Sequence, residues 1–169
     1  QHGDHVHMNG IDPHIWLSPV LVKKMAQKIF DELCLLKPEK TAEYKGNYLR
    51  FVKEIDQLNI EIKNKLRPFE GRKFVVFHPS LTYFARDYGL VQYSLETDGK
   101  EPTPQHLASV VDLAKNENIN VIYIQDEFDR ENARVFAEEI KGKIVQVRPL
   151  DSAWEENLKE LTQIFTDNF

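Results

Sequence analysis

The last hundred residues alternate between short strand-like segments and helix-like segments, and this alternation constrains the fold more than any other feature. Each strand-like segment is rich in Val, Ile, Phe or Tyr, which favour extended structure. The four segments cover residues 74–78, 91–95, 121–125 and 143–147. Helical crossovers between consecutive strands bring those strands together in parallel. We therefore expect an α/β fold in which helices flank a four-stranded, mainly parallel sheet.

Two longer helical patterns precede this alternation. The first is capped by Ser18, has Pro19 at its first position and carries apolar residues at three- and four-residue steps as far as Leu36. The second, from about residue 39 to residue 66, has one apolar stripe and would be about 40 Å long. A helix of that length can connect two lobes. The chain is thus predicted to divide into a loop (1–17), a helical connector (18–70) and an α/β lobe (71–169).

Composition excludes several classes of protein. The 169 residues are 41% hydrophobic and 29% charged, as in an ordinary globular domain. The net charge of −5 comes without a basic cluster, which argues against a nucleic-acid partner. No apolar run is long enough to span a membrane. The single cysteine, Cys34, has no partner for a disulfide within the chain and is predicted to be a small buried hydrophobe.

Histidines are concentrated at the start of the chain. His2, His5 and His7 lie in an irregular tract, and His14 follows directly after Pro13. Imidazole is a common ligand of zinc and related divalent ions, so the tract is a candidate auxiliary metal site. A solvated loop or a purification tag is the alternative for the tract, although the irregular spacing argues against a tag.

One further histidine stands where open α/β sheets form their sites. His78 ends the first predicted strand, and ligands of such sheets bind beyond the carboxyl ends of the strands. A single histidine at a strand end is more often structural. Together with His14, however, it becomes a candidate ligand pair. His106 lies in a predicted helix and is interpreted as a surface or capping residue.

The segment from Asp12 to Pro19, Asp-Pro-His-Ile-Trp-Leu-Ser-Pro, closely resembles the Asp-Pro-His-x-Trp-Leu-Asp-Pro signature of the zinc and manganese solute-binding proteins of bacterial ABC importers, the TroA-like or ZnuA-like family. The resemblance covers nearly the whole chain. Further similar segments are Phe77-His78-Pro79-Ser80, Glu101-Pro102-Thr103-Pro104, 122–128 and 147–150. The resemblance implies the connecting helix and C-terminal lobe of a two-lobed receptor, whose N-terminal lobe would precede the histidine tract.

The resemblance also implies a function. His14 and His78 match two of the family's three histidine ligands, and the cation would be delivered to an ABC-type membrane permease. The protein would lie in the periplasm or on the outer face of the cytoplasmic membrane. Imidazole at position 78 favours Zn²⁺ and makes Mn²⁺ less suitable. We expect no small-molecule substrate beyond the metal ion.

Two features limit what the resemblance implies. Manganese-binding relatives have a carboxylate ligand where this chain has Arg148, and an arginine cannot bind a metal. Asp151, three residues later, is a possible substitute. An open three-histidine site is also compatible with a zinc-dependent hydrolase, but the chain has no His-Glu-x-x-His motif to supply a general base. We therefore expect no enzymatic activity. A metal-buffering surface adhesin is a further alternative function. A homodimer of this chain is a possible assembly.

Overall fold

The computed structural model describes residues 11–96, 99–125 and 130–169 and shows a parallel sheet enclosed by helices. The strands are β1 (Lys73–Val76), β2 (Val91–Ser94), β3 (Val121–Gln125) and β4 (Lys143–Val147). The helices are α1 (Pro19–Leu36), α2 (Thr41–Leu66), α3 (Thr82–Asp87), α4 (Pro104–Asn116), α5 (Arg130–Glu139) and α6 (Trp154–Asn168). The predicted α/β class and its four strands are confirmed. None of the described helices combines the length and apolar character needed to cross a membrane.

The sheet has the strand order β2-β1-β3-β4, and all three pairings are parallel. The chain moves from β1 to β2 on one side and then places β3 on the other side of β1. The order of the strands therefore reverses between β1 and β3. In open parallel sheets, the crevice at the carboxyl ends of two such strands is the usual position of a binding site.

The core has two parts, one on each face of the sheet. Alternate residues of β1 point to opposite faces: Phe74 and Val76 lie in one apolar cluster, whereas Val75 lies in the other. The first cluster joins the sheet to α2, α3 and α6, and Phe165 packs there against Phe74 with ring centroids 4.8 Å apart. Burial on both faces explains why the two central strands, β1 and β3, are nearly continuous apolar runs.

The helices α1 and α2 form an antiparallel hairpin beside the lobe. Ser18 caps α1 as predicted, since its hydroxyl accepts a hydrogen bond from the Leu21 amide. The 26 residues of α2 span about 39 Å. Its apolar stripe is buried at Ile55, Leu58, Ile62 and Leu66.

The stripe is only half-covered in the first part of α2. Tyr48 stacks on Phe30 of α1 with ring centroids 4.9 Å apart, and Phe51 is 41% exposed. Several large apolar side chains of α1 are also exposed, at Met25, Ile29, Leu33, Leu35 and Leu36. The three-part division of the chain and the homodimer stay predictions.

Candidate metal centre

His14 precedes a short 3₁₀ turn, Ile15–Leu17, that leads into α1. Three side-chain hydrogen bonds hold this segment against the lobe. The indole N–H of Trp16 donates to the Pro149 carbonyl at 2.8 Å, and that of Trp154 donates to the Trp16 carbonyl at 2.7 Å. The Tyr83 hydroxyl donates to the Asp12 carbonyl at 3.0 Å. The loop after β4 and the start of α3 thereby fix the segment that carries His14.

His78 follows β1 directly, at the carboxyl end of the sheet. The preceding residue, Phe77, donates its backbone N–H to the Tyr123 carbonyl at 2.8 Å. The His78 carbonyl accepts from the Ser80 amide, also at 2.8 Å, and the Ser80 hydroxyl hydrogen bonds to the buried Gln125 amide. His78 therefore projects from the crevice between β1 and β3, the position expected from the strand order.

The structure brings His14 and His78 together although they are 64 residues apart. Their Nε2 atoms are 3.3 Å apart, and their rings meet edge to face with centroids 5.1 Å apart. Two imidazole ligands of tetrahedral zinc, each at about 2.05 Å, have nitrogens about 3.3 Å apart. The side chains are 13% and 21% exposed, so solvent reaches both. The separation fits two ligands of one zinc ion.

Each imidazole is oriented by a carboxylate at its other nitrogen. His14 Nδ1 lies 2.6 Å from Asp12 Oδ1, and His78 Nδ1 lies 2.8 Å from Glu96 Oε2. An ionised carboxylate only accepts hydrogen bonds, so each Nδ1 carries the proton and each Nε2 keeps its lone pair. This carboxylate–histidine arrangement is typical of histidines that bind metals.

The carboxyl group of Asp12 is kept in its charged form. Burial alone would raise the pKa of Asp12, but hydrogen bonds from the side chain and the backbone N–H of His14 outweigh burial, and the pKa lies below its ordinary value. Asp12 is therefore ionised at neutral pH and can accept the Nδ1 proton of His14.

Asp12 and Glu96 are the functional residues that the sequence analysis missed. Glu96 is 6% exposed, and its backbone N–H donates to the Phe77 carbonyl at 2.9 Å. The signal for Glu96 was its place after β2, because β2 pairs with β1 and both strands end at the same edge as His78. For Asp12 the signal was its spacing, two residues before a histidine, which allows a local side-chain hydrogen bond to the backbone.

The other candidate ligands lie elsewhere. Asp151 accepts a hydrogen bond from the Ala153 amide at 2.9 Å and is 3.9 Å from the Arg148 guanidinium. Across residues 11–96, 99–125 and 130–169, no group of three or more His, Cys, Asp or Glu is arranged to hold a metal. Asp151 thus stays a prediction without geometric support. The tract His2, His5 and His7 lies outside the described residues.

The sixth histidine, His106, has a separate contact. Its Nε2 donates to the Ser94 carbonyl at 2.9 Å. Its backbone N–H donates to the Thr103 hydroxyl, which caps the start of α4. The imidazole is half-buried and hydrogen bonded to the last residue of β2, which agrees with the interpretation of His106 as a structural residue at the surface.

Some known proteins are similar to this chain in sequence, and some solved structures are also similar to it in fold. The zinc-binding protein AdcA of Streptococcus pyogenes serotype M1 is 29% identical over 98% of the chain, and the chain spans only 33% of AdcA. A crystal structure of ZnuA is 41% identical over 93% of the chain, with a TM-score of 0.88 and 62% of its own length covered. A zinc-bound deletion mutant of ZnuA is 39% identical over 99% of the chain, with a TM-score of 0.89 and 66% covered.

The family match includes the segments that carry His14 and His78. The family model described as zinc-uptake complex component A, periplasmic (ZnuA), matches residues 1–169. Its description agrees with the prediction of zinc over manganese. Together with the fold, this match shows that the chain belongs to the ZnuA family of periplasmic zinc-uptake components.

Proposed function

We propose that this chain forms part of a receptor that captures Zn²⁺ outside the cytoplasmic membrane and delivers it to an ABC-type permease. The observation that carries the proposal is the 3.3 Å separation of the His14 and His78 Nε2 atoms. Both nitrogens keep their lone pairs because Asp12 and Glu96 accept the protons on the other side of the rings. The metal ion is the cargo of this protein.

Ligand chemistry favours zinc as the cargo. Imidazole nitrogen suits zinc, whereas manganese prefers carboxylate, carbonyl and water oxygens. Both carboxylates that contact the pair are engaged with Nδ1 atoms, which leaves nitrogen as the donor atom that the pair offers. The zinc-bound ZnuA relative and the zinc-uptake description of the family support the same choice.

Two imidazoles do not complete a zinc site, which takes four ligands. The chain spans one third of AdcA and about two thirds of the solved ZnuA chains. We propose that the remaining protein ligand is a histidine from an N-terminal lobe, as the family resemblance implies. The loop after β4 is unsuited to this role because the Arg148 side chain there is cationic and 61% exposed. His2, His5 and His7 would raise the local zinc concentration as weak auxiliary ligands.

No chemical reaction is part of this proposal. A zinc hydrolase needs a general base beside the metal-bound water. Asp12 and Glu96, the carboxylates in contact with the pair, already accept the Nδ1 protons of the imidazoles. Asp12 and Glu96 therefore orient the two histidine ligands, which serves metal binding and does not supply a general base.

Zinc titration of the intact protein tests the ligand assignment. His14→Ala and His78→Ala should each weaken zinc binding by at least 100-fold, because each removes one of few ligands. His5→Ala, a matched control in the tract, should change affinity by less than about threefold, since a mobile tract adds only local concentration. Equal losses in all three variants would place the main site in the tract and contradict the assignment.

Zinc import measures delivery separately from binding. Cells that lack the intact protein should accumulate less zinc at low external concentration, and the parent gene should restore uptake while the His78→Ala gene should not. Normal uptake in the deleted cells would favour the metal-buffering or adhesin alternative. A comparison of zinc with manganese uptake in the same cells tests the choice of cargo.

A further inference from the structure

The short helix α3 contacts the segment that carries His14 at both of its ends. At one end, the Tyr83 hydroxyl donates a hydrogen bond to the Asp12 carbonyl at 3.0 Å. At the other end, the fully buried Ser18 donates its hydroxyl to Asp87 Oδ2. Tyr83 and Asp87 both belong to α3. This helix therefore holds the backbone of the segment on either side of His14.

The two contacting residues of α3 are linked by a third. Tyr83 and Asp87 are four residues apart, so they lie on one face of the helix. The Arg86 guanidinium lies 5.0 Å from the centre of the Tyr83 ring. Its Nε and Nη2 donate to Asp87 Oδ1 at 2.9 and 2.7 Å, which leaves Oδ2 for Ser18. One guanidinium thus keeps both contacts in a fixed relation.

The position of Asp87 is not explained by α3 itself. Its side chain is 8% exposed, and a buried carboxylate is costly unless charges and hydrogen bonds compensate for the lost water. Asp87 is also the last residue of α3, where the helix dipole disfavours a negative charge. Its contact with Ser18, at the start of α1, gives this carboxylate a role.

Helix α3 is in turn fixed to the end of the sheet that carries His78. It begins at Thr82, four residues after His78. The Leu81 amide donates to the Gln92 side chain of β2 at 2.9 Å, and Phe84 is buried in the first apolar cluster. The contacts of α3 therefore place the His14 segment relative to the strand end that bears the second ligand.

From these contacts we propose that Tyr83, Arg86 and Asp87 form a clamp that positions His14 against His78. None of the three is a metal ligand. Tyr83 and Asp87 act on His14 through the backbone of its segment, and Arg86 acts through both of them. The inference rests on the proposed function and deepens it, because it names the element that keeps the two ligands together. An imidazole that is already held in place loses less conformational freedom when zinc binds.

The test measures zinc affinity and stability to denaturant separately in the intact protein. Asp87→Ala should weaken zinc binding about five- to tenfold, less than loss of a direct hydrogen-bond partner of a ligand, because Asp87 acts through the backbone. Tyr83→Phe removes only the hydroxyl that binds the Asp12 carbonyl and should weaken zinc binding about two- to threefold.

Two control variants distinguish positioning from a general loss of structure. Asp56→Ala removes a carboxylate that ties α1 to α2 through Lys23, and it should change zinc affinity by less than about twofold. Val110→Ala removes a side chain from the apolar cluster on the other face of the sheet. It should lower stability and leave zinc affinity unchanged.

A double-mutant cycle tests the contact between Ser18 and Asp87 directly. Ser18→Ala removes the hydroxyl that binds Asp87, so Asp87→Ala should cause no further loss of zinc affinity in the Ser18→Ala background. Asp87→Asn keeps an acceptor oxygen for Ser18 and should retain more affinity than Asp87→Ala. It also serves as the second variant if Asp87→Ala does not fold.

Three results would overturn the clamp: unchanged zinc affinity in Asp87→Ala and Tyr83→Phe, affinity losses that follow stability in Val110→Ala as well, or fully additive losses for Ser18→Ala and Asp87→Ala. These results differ from failure of the proposed function. If the clamp variants bind zinc normally while His14→Ala and His78→Ala do not, the clamp is wrong and the receptor assignment stands. If zinc affinity is independent of both histidines, the receptor assignment and the clamp are both wrong.

Discussion

His14 lies in a short turn that side chains hold in place, whereas His78 follows a central strand that backbone hydrogen bonds hold. The turn depends on the indoles of Trp16 and Trp154 and on the Tyr83 hydroxyl. The end of β1 depends on the ladder to β2 and β3, continued by the Phe77 amide on the Tyr123 carbonyl. A change of one side chain can therefore loosen the turn that carries His14, whereas His78 moves only if the sheet is disturbed.

His14 and His78 also differ in the carboxylates that accept their Nδ1 protons. Asp12 is local to its histidine, two residues away, and its side chain is 16% exposed. Glu96 lies two residues after the neighbouring strand β2, and its side chain is 7% exposed. A charge interaction is stronger where water is excluded. We therefore expect His78 to have the firmer backbone and the stronger electrostatic partner.

The largest effect should come from acid, which acts on both ligands at once. Zinc binds only the neutral form of imidazole, and histidine in model peptides titrates at about pH 6.5. Asp12 stays ionised over this interval because its pKa lies below the ordinary value. Each imidazole contributes about a tenfold loss over this interval, so zinc affinity should fall by at least about 100-fold between pH 7.5 and pH 5.5, as measured by calorimetry in the intact protein. Equal affinity at the two pH values would exclude imidazole ligation.

The same titration can resolve the two ligands. Binding to two imidazoles displaces up to two protons at acid pH, so the slope of log affinity against pH should be steeper in the parent than in His78→Ala. An unchanged slope in that variant would show that zinc binding does not displace a proton from His78.

The next effect comes from neutralising the two carboxylates. Asp12→Asn and Glu96→Gln keep an acceptor oxygen of similar shape but remove the charge that favours a metal-bound imidazole. Loss of such partners typically weakens metal binding about 10- to 100-fold. Glu96→Gln should cost more than Asp12→Asn, since Glu96 is less exposed. Calorimetry provides the measurement, with the exposed Glu43→Gln as control, and a larger loss for Asp12→Asn would reverse the comparison.

The sequence predicted the fold well because its signals are local or periodic. The α/β class and four strands at nearly their observed positions followed from runs of β-forming residues separated by helical patterns. The apolar stripe predicted on α2 is present, but Phe51, which lies on it, is 41% exposed. Periodicity predicts which residues share one face of a helix, but which part of that face is covered depends on tertiary packing.

The site was predicted in part. The approach of His14 and His78 was expected from the family resemblance and from the position of His78 at a strand end. The partners of the imidazoles were missed, since the contact of Glu96 with His78 depends on the pairing of β1 with β2 and on a side-chain rotamer. Both the strand pairing and the rotamer depend on tertiary structure and cannot be predicted from the neighbouring residues in the sequence. Asp151 was predicted as a candidate ligand, but the structure gives it other contacts: its carboxylate faces Arg148 and the Ala153 amide.

A smaller effect on zinc should follow from loosening the turn that carries His14. Trp154→Phe removes the indole N–H that binds the Trp16 carbonyl, a hydrogen bond worth about 1 kcal/mol of unfolding free energy. Zinc affinity should fall a few-fold, because His14 then samples more positions. Ile164→Val, on the same helix and packed against the same core cluster, is the matched control and should change stability without changing zinc affinity. Equal zinc affinities for both variants would show that the turn needs no indole tether.

The smallest effect on zinc, with a larger effect on stability, is expected beside His78. Ser80→Ala removes the hydroxyl that meets the Gln125 amide, and a buried polar group without a partner costs about 1–3 kcal/mol. The Ser80 amide still donates to the His78 carbonyl, and β1 keeps its ladder. Chemical denaturation should therefore show a clear loss of stability while zinc affinity changes by less than about twofold. Ser109→Ala, whose hydroxyl is exposed, is the control for loss of a serine hydroxyl. A loss of zinc affinity in Ser80→Ala as large as that in Trp154→Phe would show that both ligands depend on side-chain support, because the sheet would then not suffice to hold His78.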